Sequence, residues 1–239
     1  MQHIMNGIYM VEGLRLGNVY VIEAADGLTL VDTSVPGSLS RIEKDLRSAG
    51  RKLSDIKRIL ITHAHWDHHG SLAELKEATG ARVYAHHRCE SAILRGKRKP
   101  VTPPYSQLGG LDRVIAAAWV RPRLKFNLSV QVDCKLKEGD RLDEVLPGLT
   151  VVDIPGHSPG QCGFWQPEHR LFFGGDLLMR TPWGRFLLPM AAATPDMEEA
   201  KRSIRKVAEM NVATLCQGHG KPCIGNAGSL IRAFADKLR

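Results

Sequence analysis

The residues best equipped for chemistry in this 239-residue chain lie in one stretch, Thr62-His63-Ala64-His65-Trp66-Asp67-His68-His69-Gly70. His63, His65, Asp67 and His68 put four strong metal-ligating groups into six positions. Imidazole and carboxylate together suit zinc, and also manganese, iron, cobalt or nickel, with no thiolate required. The run before the cluster, 56–62, is short, apolar and rich in isoleucine, which predicts a buried strand. The run after it, 70–80, predicts a helix with Leu72, Leu75 and Ala78 on one face and Gly80 at the C-terminal cap. The cluster therefore sits on a strand-to-helix turn. Side chains two apart on an extended segment point the same way, so His63 and His65 are placed to share one ion. Asp67 and His68, where the chain turns over, are placed to reach a second.

Three further ligand types recur at predicted strand ends. His157 lies in Pro155-Gly156-His157-Ser158-Pro159-Gly160, Asp176 follows Gly174-Gly175, and His219 lies in Gln217-Gly218-His219-Gly220. Flanking glycine lets the backbone turn sharply and leaves room for an ion. Seven such side chains are too many for one tetrahedral ion. They fit two ions sharing a bridging carboxylate, an arrangement that acidifies a bridging water and polarises a carbonyl or phosphoryl oxygen. Asp67 and Asp176 are the candidate catalytic carboxylates. Asp32, closing Leu30-Val31-Asp32-Thr33, reads equally as an acid that orients a ligand histidine and as a turn or cap residue. His69 is not assigned as a ligand, and His86-His87 read as ordinary loop histidines.

The elements that must position these residues follow in order. Residues 5–12 predict a strand. Residues 18–23 and 28–32 predict a hairpin about Asp26-Gly27, and 38–49 an amphipathic helix ended by Gly50. Strands are expected over 82–85, 149–154, 162–166, 170–173 and 212–216. Helices are expected over 195–210, with Thr194 as cap and Pro195 in the first position, and over 229–238. The stretch 88–126 differs in character. It holds nine Lys and Arg residues against Glu90 and Asp112, with Pro100, Pro103, Pro104 and Tyr105. A helix over 111–120 stopped by Pro122 fits there. The stretch reads as an insertion between the two halves, either a cap over the site or a solvated basic loop.

The length suits one sizeable domain, 1–239. No run of about 18 apolar residues suggests a membrane span, and no secretory leader is evident. Five cysteines without a C-x-x-C pair read as reduced thiols of a cytoplasmic protein. The net charge of +8 fits a basic enzyme, and also attraction of an anionic substrate or nucleic acid.

Taken together, these residues resemble the metallo-β-lactamase-fold hydrolase superfamily, whose motif is H-x-H-x-D-H followed by a distant His, then Asp, then His. The resemblance covers nearly the whole chain. It implies an α/β fold, a four-layer αββα sandwich. It also implies that His63, His65 and His157 hold a first metal, that Asp67, His68 and His219 hold a second, and that Asp176 bridges them. Dedicated β-lactamases of the superfamily usually lack the bridging Asp, so Asp176 points away from them. One type of acyl-homoserine lactonase carries Tyr three residues after that Asp, where this chain has Met179. Long glyoxalase II-type members add a helical domain for which the chain has no room.

The resemblance leads to a first reading: two divalent ions, zinc foremost, and a metal-bridging hydroxide that cleaves a carboxylic ester, lactone or thioester. A phosphodiesterase or nuclease on the same dimetal site is the alternative, and a mononuclear iron oxygenase the third. The segment after Asp176 is expected to overhang the site with Met179, Arg180, Trp183, Arg185 and Phe186, and Trp66 to face the pocket. A small, anionic substrate would suit such a wall. A homodimer is compatible with the sequence.

Overall fold

The computed structural model describes residues 1–96, 103, 104, 106, 108–119 and 128–238, with the side chains of 115–119 left aside. In chain order the elements are β1 (Gln2–Met5), β2 (Ile8–Met10), β3 (Tyr20–Ala24), β4 (Gly27–Val31), α1 (Leu39–Ser48), β5 (Ile56–Ile61), α2 (Leu72–Thr79), β6 (Arg82–His86), α3 (Glu90–Leu94), α4 (Gly110–Trp119) and β7 (Cys134–Leu136). The second half adds β8 (Thr150–Asp153), β9 (Cys162–Gln166), β10 (Leu171–Gly175), β11 (Met179–Arg180), β12 (Phe186–Leu187), α5 (Met197–Ala208), β13 (Thr214–Gln217) and α6 (Ala227–Ala235). Strands β1 to β7 form one sheet in sequence order, antiparallel through β4 and parallel from β4 to β7. The second sheet runs β13-β10-β9-β8, and β11 pairs with β12 in a small hairpin.

Strand alternation explains why both sheets are covered on both faces. In β5, Ile59 and Ile61 pack toward α1 and α2 with Ile42, Leu46, Leu72 and Leu75. Leu60 points the other way, into a layer shared with Phe164, Leu171 and Phe173 of the second sheet. Phe172 then turns outward onto Ile204 and Val207 of α5 and Ile231 of α6. Three apolar layers thus separate four structural ones: helices, sheet, sheet, helices. This is the αββα sandwich.

Several local expectations shift. Residues 5–12 are not one strand, because Asn6-Gly7 turns the chain and makes β1 and β2 a hairpin. Helix α5 starts two residues late: Asp196 is the cap, its side chain accepting from Glu199 N at 2.8 Å. Thr194 is released for a different bond. The short strands β7, β11 and β12 carry too few residues to show a period. In the basic stretch, Lys97, Arg98, Lys99, Pro100, Tyr105, Val120, Arg121, Pro122, Arg123, Lys125 and Phe126 lie outside the described residues. Its described part contributes α3 and α4, and Leu108 packs with Met190 and Ala192 on the segment that leads to Thr194. All five cysteines are free thiols. No helix among the described residues is long and apolar enough to cross a membrane.

Phe173, fully buried between the sheets, and Trp183, 75% exposed, give a direct contrast. Phe173→Ala is expected to destabilise the chain by about 3–5 kcal/mol, and Trp183→Ala by no more than about 0.5 kcal/mol. Urea denaturation of the two variants checks this. Equal losses would show that the inter-sheet layer is not the core.

Candidate metal centre

Every strand that leads into the cluster ends at the same rim. Strand β5 delivers the turn 62–70, whose backbone closes on itself through His68 N and His69 N donating to His65 O at 2.9 and 3.0 Å. The end of β4 wraps this turn: Thr33 N donates to His68 O at 2.6 Å and Gly70 N to Ser34 O at 2.9 Å. Strand β8 leads to the His157 loop, which is tied to the motif by Cys162 N donating to Thr62 O at 3.0 Å. Strands β10 and β13 run parallel and present Asp176 and His219 side by side, with Gly218 N donating to Gly175 O at 2.7 Å.

The seven side chains converge. One ligand atom each from His63, His65 and His157 lie within 4.8 Å of one another, and so do those of Asp67, His68 and His219, and of His63, His68 and Asp176. Asp176 stands between the sets: Oδ1 is 3.3 Å from His68 Nε2, and Oδ2 is 3.4 Å from His157 Nε2 and 3.3 Å from His219 Nε2. His63 Nε2, His65 Nε2, His157 Nε2, Asp67 Oδ1 and Asp176 Oδ1 are buried without a hydrogen-bond partner among the described residues. Five orphaned polar atoms aimed at one small volume are costly unless something satisfies them. Divalent cations do so, and the donor set fits them. Space is kept for this: a Cβ on Gly218 would stand 2.2 Å from Asp176 Oδ1 and 2.5 Å from His68 Cε1.

The other ring nitrogens fix the tautomers. Thr62 Oγ1 donates to Asp32 Oδ2 at 2.8 Å, so at 3.0 Å it accepts from His63 Nδ1. Thr194 Oγ1 donates to Met190 O at 2.8 Å and so accepts from His157 Nδ1 at 3.0 Å. In both rings the proton sits on Nδ1 and the lone pair of Nε2 faces the cluster. His68 Nδ1 donates to Asp32 Oδ2 at 2.8 Å. Asp32 thus orients His68 directly and His63 through Thr62, which decides between the two readings its position allowed.

Charge is divided sharply. Burial, reinforced by neighbouring imidazoles, holds His63 and His65 well below the ordinary histidine range. Burial also takes His157 down to about 4. Burial opposes the proton on His68 and His219 too, but Asp176 outweighs it: His68 is raised well above the usual value, and His219 to about 9. Despite its burial, Asp176 is held far below the usual carboxylate range by those two rings.

The surrounding residues divide unevenly. Trp66 is half-buried within the motif turn. Met179 and Arg180 form β11 opposite Leu187 and Phe186. The Arg180 guanidinium is engaged by carbonyls, donating from Nη1 to Pro222 O at 2.7 Å and Lys221 O at 3.3 Å and from Nε to Gly184 O at 3.4 Å. Phe186 is buried against the outer helices, while Trp183 and Arg185 lie in the exposed turn of that hairpin. His69 belongs to none of the three ligand groups, and its Nδ1 donates to His65 O at 2.8 Å. Sequence reasoning missed Asn18. Its Nδ2 donates to Gln217 O at 2.9 Å and Gly220 O at 2.7 Å, clasping His219 from both sides. Beside it lies a cavity of about 430 Å³ bordered by Met10, Leu14, Arg180, Pro182 and Gly220.

Comparison with known proteins agrees with this geometry. The model of the metallo-beta-lactamase superfamily matches residues 13–219. The chain is 29% identical over 242 residues to the probable metallo-hydrolase YflN of Bacillus subtilis, covering 94% of this chain and 89% of that one. It is 31% identical over 199 residues to a hydroxyacylglutathione hydrolase of Fuscovulum blasticum, covering 82% of this chain and 59% of that one. The subclass B3 metallo-beta-lactamase BJP-1 of Bradyrhizobium japonicum superposes with a TM-score of 0.67 at 28% identity, covering 99% of this chain and 92% of that one. The family protein TTHA1429 of Thermus thermophilus shares the fold with a TM-score of 0.71 at 23% identity, over 97% of this chain and 79% of that one. The chain belongs to the metallo-beta-lactamase superfamily and is a metal-dependent hydrolase.

Proposed function

We propose that the chain is a dinuclear hydrolase of carboxylic esters, lactones or thioesters, with a thioester as its leading substrate class. The observation that carries this reading is the set of five orphaned buried donor atoms with Asp176 standing between the two groups they belong to. The likeness to hydroxyacylglutathione hydrolases favours the thioester.

In this reading His63, His65 and His157 hold one cation, Asp67, His68 and His219 hold the other, and Asp176 lies between them. Two divalent cations, zinc foremost, would supply an acidified water and an electrophile for the carbonyl oxygen. The chain's own residues do the rest. Asp32, Thr62 and Thr194 keep the imidazoles aimed. Asp67 has one buried oxygen without a hydrogen bond and the other 3.4 Å from His219 Nε2. Despite its burial, its carboxyl is held below the usual range by His219 and His68, so it stays ionised and is placed to accept a hydrogen bond that orients the attacking water.

Metal content and turnover, measured on one preparation, test the reading. The expected result is two metals per chain and a far higher kcat/KM on a hydroxyacyl thioester or a lactone than on bis(p-nitrophenyl) phosphate. Preference for the phosphodiester would replace carbonyl hydrolysis with the nuclease alternative, and one iron without hydrolysis would sink both. Asp176→Asn is expected to cut turnover by orders of magnitude and to lower metal content. Full activity in that variant would remove Asp176 from its bridging place.

Metal uptake is also expected to expel protons. The raised pKa values of His68 and His219 mean that both rings are protonated near neutral pH without metal, and a cation must displace those protons from Nε2. Apparent affinity therefore rises with pH through the range below about 9 in which His219 holds its proton. Calorimetry in buffers of different ionisation enthalpy should register about two protons released per chain. Heats independent of the buffer would contradict this.

A further inference from the structure

One more buried imidazole lies outside the three ligand groups. His86 ends β6 and is 1% exposed. Its Nε2 lies 3.2 Å from Asp153 Oδ1, an ion-pair distance without hydrogen-bond alignment, and neither atom has a hydrogen-bond partner among the described residues. Its Nδ1 accepts from Arg88 N at 3.3 Å, which leaves the ring proton on Nε2, toward Asp153. Asp153 ends β8, immediately before the loop that carries His157.

The exit of β6 meets the far end of the same loop. Cys89 Sγ donates to Gly160 O at 3.3 Å and approaches Pro159 O at 3.5 Å. A Cβ on Gly160 would stand 2.9 Å from His86 Nδ1 and 2.7 Å from Arg88 Cβ, and Gly160 has φ +76°, so glycine is required there twice over. The first sheet therefore grips the His157 loop at both ends, Asp153 before it and Gly160 after it. The loop bearing His219 is held by other groups, Asn18 and Gly175.

We infer that His86 is a positioning residue for His157: through Asp153 and Gly160 it fixes the loop that brings the third imidazole to the His63–His65–His157 group. It sets cation affinity chiefly in that group, and the Asp67–His68–His219 group feels it only through Asp176. The inference rests on the proposed assignment of those three histidines to one cation.

The test is a stepwise Co(II) titration of the full chain, stripped of metal and followed by absorption. His157→Ala is the control and must weaken one of two binding events. If it weakens neither, the ligand assignment itself falls, and the inference with it. With that control in place, His86→Ala is expected to weaken the same event by about ten-fold or more, the scale on which groups behind the ligands act. The other event should weaken clearly less, since of its ligands only the shared Asp176 meets His157. His86→Gln, which keeps an N–H donor facing Asp153, should restore most of the loss. Equal weakening of both events, no weakening, or no recovery with Gln would overturn the inference. Should His86→Ala not fold, Asp153→Ala removes the other partner and is read by the same outcomes.

Discussion

The cluster depends above all on the carboxylate of Asp32. One oxygen accepts from Thr62 N, and the other from Thr62 Oγ1 and His68 Nδ1. The residue sits at φ 62°, in the left-handed region that side-chain-bearing residues normally avoid. That strain is offset by the three hydrogen bonds its carboxylate accepts from Thr62 and His68. Its effect reaches both ligand groups, since it aims His68 directly and His63 through Thr62. Two imidazoles are thereby set before any cation arrives, which lowers the reorganisation that binding would otherwise require.

Around that acid the polar groups form two rings of different purpose. In the inner ring five atoms are left without a hydrogen-bond partner among the described residues and face a common centre, while His68 Nε2 and His219 Nε2 meet each other at 3.3 Å. The outer ring, Asp32, Thr62, Thr194 and Asn18, is fully occupied and holds the inner one still. The hairpin after Asp176 belongs largely to the outer category. Arg180 braces the 220–222 segment, and Phe186 anchors the hairpin in the outer core.

Much of this was legible in the chain itself, for a physical reason. Ligand residues at strand ends follow short apolar runs, so the ligand-bearing strands β5, β8, β10 and β13 and the turns after them could be located from local pattern. The hairpin of β1 and β2 was misread because Ile4, Met5, Ile8 and Met10 look continuous when the turn at Asn6-Gly7 is only two residues long. Thr194 was misread because Thr before Pro is a good local cap, and its real partner, His157, lies 37 residues away. His86 was read as an ordinary loop histidine, because Asp153, the acid it faces, is on the other sheet. What local pattern cannot carry is a bond between distant segments.

The ligand-bearing strands of both sheets share one direction and one rim, yet their donors come from widely separated parts of the chain: His68 and His219 face each other across 151 residues of sequence. Such contacts form late when a chain folds, because long loops must close first. Cation binding therefore has no means to nucleate this fold. The apolar layers must dock the two sheets unaided, and a cation held between them would act as a clasp that slows their separation. Stabilisation by metal in such an arrangement falls mainly on the rate of unfolding rather than on the rate of folding.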